Sequence, residues 1–154
     1  MHLQSGAKQG KGKTEVKDSL IVGLKHQASL KVSEDLTVPK VSKRLEPFLV
    51  MPPVFATAFE VAFIEATCML CIADHLETNE KTVGIHIDVS HSSATPIGMT
   101  VTCDVELIEI NKRILNFKVI ARDETDIIGQ GTHKRAIIDP EKFEEALSKK
   151  STPK

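Results

Sequence analysis

Apolar residues crowd into one stretch of this chain, residues 53–76, and alternate with polar ones over much of the remainder. The crowded stretch, PVFATAFEVAFIEATCMLCIADHL, predicts a long helix that starts near Thr57 and ends before residues 77–80. Its only acidic residues are Glu60, Glu65 and Asp74. At about 100° per residue, Glu60, Thr67 and Asp74 share a narrow polar stripe. Glu65 lies roughly 140° from that stripe, among Val61, Ala62, Cys68, Met69 and Ile72. An ionised carboxylate in apolar surroundings finds a partner or changes its pKa, and such groups mark functional sites more often than surface ones do. The plainer alternative is a buried glutamate bonded to a nearby hydroxyl or backbone group.

Strand-like alternation flanks the helix. A first strand is expected within residues 19–32, most clearly at 28–32, followed by an irregular crossing at 37–53 with prolines 39, 47, 52 and 53. After the helix, residues 82–91 place Ile85, Ile87, Val89 and His91 on one face and Gly84, His86, Asp88 and Ser90 on the other. Thr95-Pro96-Ile97-Gly98 suits a type I turn. Val101, Cys103, Val105 and Leu107 line the next strand, Asn111-Lys112 turns into 114–121, and residues 123–126 turn into 127–138. Pro140, with Asp139 as its cap, opens a short helix to Leu147. An apolar helix followed by a four-stranded meander is buried most economically by one curved antiparallel sheet wrapped around it, the α+β hot-dog architecture. Its narrow polar stripe leaves apolar surface for a second subunit, so a homodimer is expected. The expected domain spans residues 19–148, between a Gly/Lys/Gln-rich mobile tail at 1–18 and a short tail at 149–154.

Composition narrows the functional classes. A chain of 154 residues suffices for one domain with a real core. With 20 basic and 21 acidic residues the net charge is -1, and Trp and Tyr are absent, so neither nucleic acid nor an anionic membrane surface is an expected partner. No charge-free apolar run reaches the roughly 18 residues of a membrane span, and the N-terminus has no signal-peptide pattern. Three cysteines fit a reduced compartment, so the expected location is cytoplasmic.

Among residues able to do chemistry, His91 shares its strand face with residues that should meet the Glu65 helix. A lone histidine there is more often a satisfied core residue, but a Glu and a His aimed into one core is a stronger signal. Thr57-Ala58-Phe59-Glu60 has the form of a capping box, while the same helix N-terminus offers amides to a carbonyl oxygen or oxyanion. Thr57 and Glu65 lie about 12 Å apart along a regular helix, so they meet only if its first turn is irregular or across a dimer interface. Cys68 and Cys71 have CxxC spacing inside the apolar helix, where core packing is the expected role. Gly129 and Gly131 suggest a strand that something passes closely. His133, Lys134 and Arg135 form a solvated edge or an anchor for an anionic ligand, and the face Arg135 shares with the two glycines favours a groove.

Together Val54-Phe55-Ala56-Thr57, Glu65 with Cys68, His91-Ser-Ser-Ala94-Thr95-Pro96-Ile-Gly98 and Gly129-Gln-Gly131-Thr132-His133-Lys-Arg135 resemble the fluoroacetyl-CoA thioesterase family of hot-dog proteins. The resemblance covers residues 23–147 in order. It implies an acyl-CoA thioesterase with Thr57, Glu65 and His91 as the catalytic set, Gly84 near the thioester and Arg135 as the basic residue of the last strand, with no metal or organic cofactor. The fluoroacetyl-specific member carries an aromatic gate where this chain has Met51, a flexible thioether and a looser wall. A small acyl-CoA substrate is therefore expected, hydrolysed by Glu65 as nucleophile or general base, with His91 moving the proton, Thr57 holding the carbonyl and Arg135 anchoring CoA. The alternatives are a non-catalytic acyl-CoA sensor and a hot-dog enoyl-CoA hydratase, whose usual Asp-to-His spacing is not found around His91.

Overall fold

The structure, a computed structural model, describes residues 15–153. Five strands form one antiparallel sheet: β1 (Lys25–Lys31), β2 (Lys81–Val89), β3 (Thr100–Asn111), β4 (Ile114–Arg122) and β5 (Ile127–Ile138). Their order is β1-β3-β4-β5-β2, so β3, β4 and β5 run as a meander with β2 and β1 at the edges. The helix α1 (Thr57–Ile72) lies across one face, mostly over β3 and β1, and three short 3-10 turns fill the crossing between β1 and α1. The side chains of β3 and β4 alternate as the period-two pattern requires. Cys103, Val105 and Leu107 interleave with Leu115, Phe117 and Val119 beneath Ile64, Cys68 and Ile72 of α1. A second apolar cluster, with Phe55, Val101 and Ile128, closes the end near the start of α1. The cysteines are all buried thiols without disulfides, as core packing requires.

The helix sits on the sheet turned differently from its expected orientation. Its buried positions are Glu60, Ile64, Thr67, Cys68, Cys71 and Ile72, so two members of the polar stripe face the sheet. Thr67 manages this because its hydroxyl bonds the Phe63 carbonyl one turn back, at 2.7 Å. Glu65 is half-buried instead, and Met69 and Leu70 are 47% and 56% exposed. A helix apolar on nearly every side gives periodicity little to choose between faces, so the packing partners decide.

A bulge corrects the reading of β2. The register against β5 slips between Gly84 and His86, leaving Ile85 as the extra residue. Gly84 pairs with Arg135 and Ile87 with His133, so Gly84 joins Ile87 and Val89 on the face toward α1. The turn after β2 also lies one residue later than expected, with the Met99 amide on the Pro96 carbonyl at 3.4 Å, so Gly98 becomes its third residue, and a φ of +97° there does not belong to a type I turn.

Described contacts and helix extend on either side of residues 19–148. Residues 1–14 of the expected mobile tail lie outside the described residues. Val16 packs against the main core, and the carbonyl of Glu15 accepts a bond from Arg113 at 2.9 Å. The closing helix α2 (Pro140–Ser151) runs past Leu147, and the side chain of Asp139 caps it by accepting from the amides of Glu141 and Lys142. Among the described residues no helix is long and apolar enough to cross a membrane.

Candidate active site

Two clusters of polar side chains are held on α1, one at each end of its first half. The first gathers where α1 starts. The first turn is regular, with the amides of Phe59 and Glu60 bonding the Ala56 carbonyl at 3.0 and 2.9 Å. Ala56, not Thr57, is the N-cap, and no side chain caps it, so the expected capping box does not form. Thr57 is the first helical residue, and its hydroxyl lies 2.7 Å from Nδ1 of His91. His91 is carried just past β2, where the amides of Ser90 and Ser92 bond the carbonyls of Gln130 and Ile128 and keep the chain beside β5. The ring of Phe55 meets the imidazole edge-on, with centroids 6.4 Å apart. Nε2 of His91 is buried without a hydrogen-bond partner, and burial lowers the imidazole pKa.

Glu60 completes this cluster, and sequence reasoning missed it. Its side chain is fully buried, with one carboxyl oxygen 3.9 Å from Nδ1 of His91, and neither oxygen has a hydrogen-bond partner. Burial pushes its pKa up to about 7. A Cβ on Gly129 would overlap both the Glu60 carboxyl and the Ser90 carbonyl oxygen, so this glycine is what admits the acid to the core. The glycines of β5 were the available signal, because they mark the close approach without saying what approaches.

The second cluster lies two turns along α1. Oε2 of Glu65 accepts a 2.7 Å charge-assisted bond from Nη1 of Arg135. Arg135 itself is only 3% exposed. Its Nε donates to the Thr82 hydroxyl and its Nη2 to the Thr82 carbonyl, both at 2.9 Å. Nδ1 of His133 donates to the His86 carbonyl at 2.7 Å, which leaves Nε2 to accept from Nη1 of Arg135 at 3.2 Å. His133 is held neutral, its pKa lowered by burial and by Arg135 against the opposing bond to His86 and the charge of Glu65. Arg135 is thus an internal partner of Glu65. Each of its three guanidinium nitrogens donates to at least one of these partners, so the cation is held inside the protein beside Glu65. Thr82 and His133 are the residues that fix it, and only the β2–β5 register could have revealed them.

Gly84 completes the second cluster. A Cβ there would lie 2.6 Å from Oε2 of Glu65 and 3.2 Å from the His133 ring. The atom in the way is the tip of a flexible side chain, so Gly84→Ala is expected to fold normally while displacing the Glu65 carboxylate. Activity should fall by roughly 10-fold or more, as misplacement of a reacting group requires, with little change in melting temperature. Unchanged turnover would separate Gly84 from the site. Glu65 opens onto a cleft of about 420 Å³ lined by Val61, Gly84, Ile85, Ile87 and His133. A larger cleft of about 570 Å³, beside Arg113 and Phe143, contains none of the expected site residues. Met51 ends the last 3-10 turn before α1 and is 48% exposed.

The structure therefore brings Thr57 to His91, and Glu65 to Gly84 and Arg135, but leaves the two groups on separate turns of one regular helix. Among the described residues, no group of three His, Cys, Asp or Glu side chains could hold a metal ion.

The antiparallel sheet around one apolar helix is the hot-dog fold of thioesterases. A thioesterase superfamily member from Thermus thermophilus shares it at 22% identity with a TM-score of 0.75, covering 86% of this chain and 93% of its own. A hot-dog-like protein from Thermanaerovibrio acidaminovorans shares it at 20% identity with a TM-score of 0.73, covering 86% and 94%. The sequence is more particular: residues 32–141 match the model of the fluoroacetyl-CoA-specific thioesterase family, and the chain belongs to that family. The fluoroacetyl-CoA thioesterase of Streptantibioticus cattleyicolor is 38% identical over 136 residues, which span 88% of this chain and 98% of that protein. A solved structure of a fluoroacetyl-CoA thioesterase is 39% identical, with a TM-score of 0.83 over 88% of this chain and 100% of its own. This protein is a thioester hydrolase, as the resemblance implied.

Proposed function

We propose that this protein hydrolyses short acyl-CoA thioesters at a site built by two subunits of a homodimer, with Thr57 and His91 from one and Glu65 from the other. The observation that carries this reading is the separation of the two clusters on a regular helix. The first turn of that helix is regular, which favours a second subunit as what brings Glu65 to Thr57 and His91. The exposed surface around Glu65 supports such a contact. Ile85 and Ile87 on the edge strand β2, which line the Glu65 cleft with Val61 of α1, are 50% and 42% exposed. An unpaired edge strand with apolar side chains is a natural isologous interface.

In this site the Glu65 carboxylate attacks the thioester carbon or draws a proton from the water that does so. The Thr57 hydroxyl and the amides of the helix N-terminus stabilise the oxyanion that forms. His91 accepts the proton released from water at its Nε2 and passes it to the departing CoA sulfur as the carbon–sulfur bond breaks. Arg135 acts through Glu65, holding its carboxylate in place with the 2.7 Å bond. A fluoroacetyl-CoA thioesterase of this family has been solved with acetyl-CoA bound in one variant and with fluoroacetate and CoA in another.

Met51 decides how selective the site is. A thioether makes a yielding wall, and one methylene in an apolar pocket is worth only about 1–3 kcal/mol. Acetyl- to butyryl-CoA should therefore be hydrolysed at rates within a few decades of each other, and Met51→Phe should penalise the longer chains. Thiol release from a panel of short acyl-CoAs tests both. Absence of release from every member would remove the reading, and strong preference for fluoroacetyl-CoA in the unsubstituted protein would show that Met51 does not set specificity.

A further inference from the structure

We propose that Glu60 is a positioning residue that sets the tautomer of His91 and, through it, when His91 can accept a proton. The inference rests on the reading of His91 as the proton carrier and adds a group that the Thr57, Glu65 and His91 set does not contain. Nδ1 of His91 faces two candidate partners, the Thr57 hydroxyl at 2.7 Å and the Glu60 carboxyl at 3.9 Å. An imidazole nitrogen serves one of them at a time as donor or acceptor, and the choice dictates what the other ring nitrogen carries.

With Glu60 protonated, the Thr57 hydroxyl donates to Nδ1, and the ring proton sits on Nε2. His91 is then a donor and cannot act as a base at Nε2. With Glu60 ionised, the carboxylate draws Nδ1–H toward itself. Nε2 then carries a lone pair, and the Thr57 hydroxyl is released to bond a substrate oxygen. The protons balance: Glu60 gives one to solvent, and the ring proton moves from Nε2 to Nδ1. Closing the gap needs about 1 Å of movement to reach ordinary hydrogen-bond distance. Among the described residues the carboxyl is not tied elsewhere by a hydrogen bond, because neither of its oxygens has such a partner.

The surroundings point the same way. β5 presents Gly129 to the acid, so no charge from that strand competes. From β3 the neighbour is Cys103, whose thiol is pushed up to about 11 by burial and stays neutral. Thr57, on the same helix, carries no charge, which leaves His91 as the ionisable group that can answer Glu60 near neutrality. A buried carboxyl without a partner lowers stability, and an apolar residue of the same size would remove that cost. Its presence in the core is explained if the acid acts on His91.

The test compares wild type with Glu60→Gln and Glu60→Met in three measurements. In wild type, ¹⁵N spectra of His91 should show the proton moving from Nε2 to Nδ1 as pH rises through about 7, the region to which burial moves Glu60. Both variants should keep one tautomer across that range. Their kcat/KM should lack the corresponding rise and fall roughly tenfold below wild type above it, with KM nearly unchanged. Glu60→Met should melt no lower than wild type. Its advantage should widen between pH 4.5 and about 7, because folding favours the protonated acid and wild type loses stability as pH rises through that window. Variants with the wild-type tautomer shift and rate profile would overturn the proposal and leave Glu60 a tolerated burial. The spectra do not depend on turnover. If Glu60 controls the tautomer but His91→Ala hydrolyses normally, the coupling stands and the catalytic reading of His91 fails.

Discussion

Glu65→Gln is expected to abolish thioester hydrolysis, by at least about 10³-fold, in a protein that still folds. The amide keeps the volume of the carboxyl and can accept the 2.7 Å bond from Arg135 with its oxygen. It can neither attack the thioester carbon nor take a proton from water. The charge balance also changes, since Arg135 is buried and would lose its anionic partner. That loss is softened because Glu65 is 38% exposed, so solvent already screens the pair. Thr82 and His133 keep their bonds to the guanidinium. A melting temperature lowered by a few degrees, with no detectable CoA release per folded molecule, is the expected result. Hydrolysis near the wild-type rate would remove Glu65 from the mechanism.

Much of this was readable before the structure, for reasons that can be traced to particular residues. The strands β3 and β4 alternate cleanly because one face is buried under α1, so Cys103 to Leu107 and Leu115 to Val119 declare their side. Asp139 and Pro140 declare the start of α2 by cap chemistry. The helix was legible as an element and not as an orientation. Its apolar residues surround it, so the stripe of Glu60 and Thr67 looked like a solvent face when it is a core face with one hydroxyl satisfied inside the helix. Glu65 was singled out as an acid in an apolar setting, but in one chain the acid that fits that description is Glu60. Gly84 was assigned to the wrong face because one bulge at Ile85 reverses a period-two pattern, and nothing in local propensity announces a bulge. The commitment of Arg135 to Thr82, Glu65 and His133 depends on strand register, which spacing along the chain does not contain.

His91→Ala should lower the rate by roughly 10²–10⁴-fold, the range for loss of general acid–base catalysis. Combined with Glu65→Gln, it yields a test of where the site lies. Each variant alone is expected to be nearly inactive. If the site is shared, a heterodimer of the two has one position with an intact His91 from the first subunit and an intact Glu65 from the second. Its other position has neither. Random exchange of subunits makes half the dimers mixed, each with one working site of two, so activity should recover to about a quarter of the wild-type level per subunit. If each chain instead built its own site, every position in every dimer would lack one of the two groups, and mixing would recover nothing. The recovered rate should also rise with the time allowed for exchange and reach a plateau, which separates complementation from residual activity in either parent. A mixture as inactive as its components, under conditions where exchange is confirmed by mass, would refute the two-subunit site.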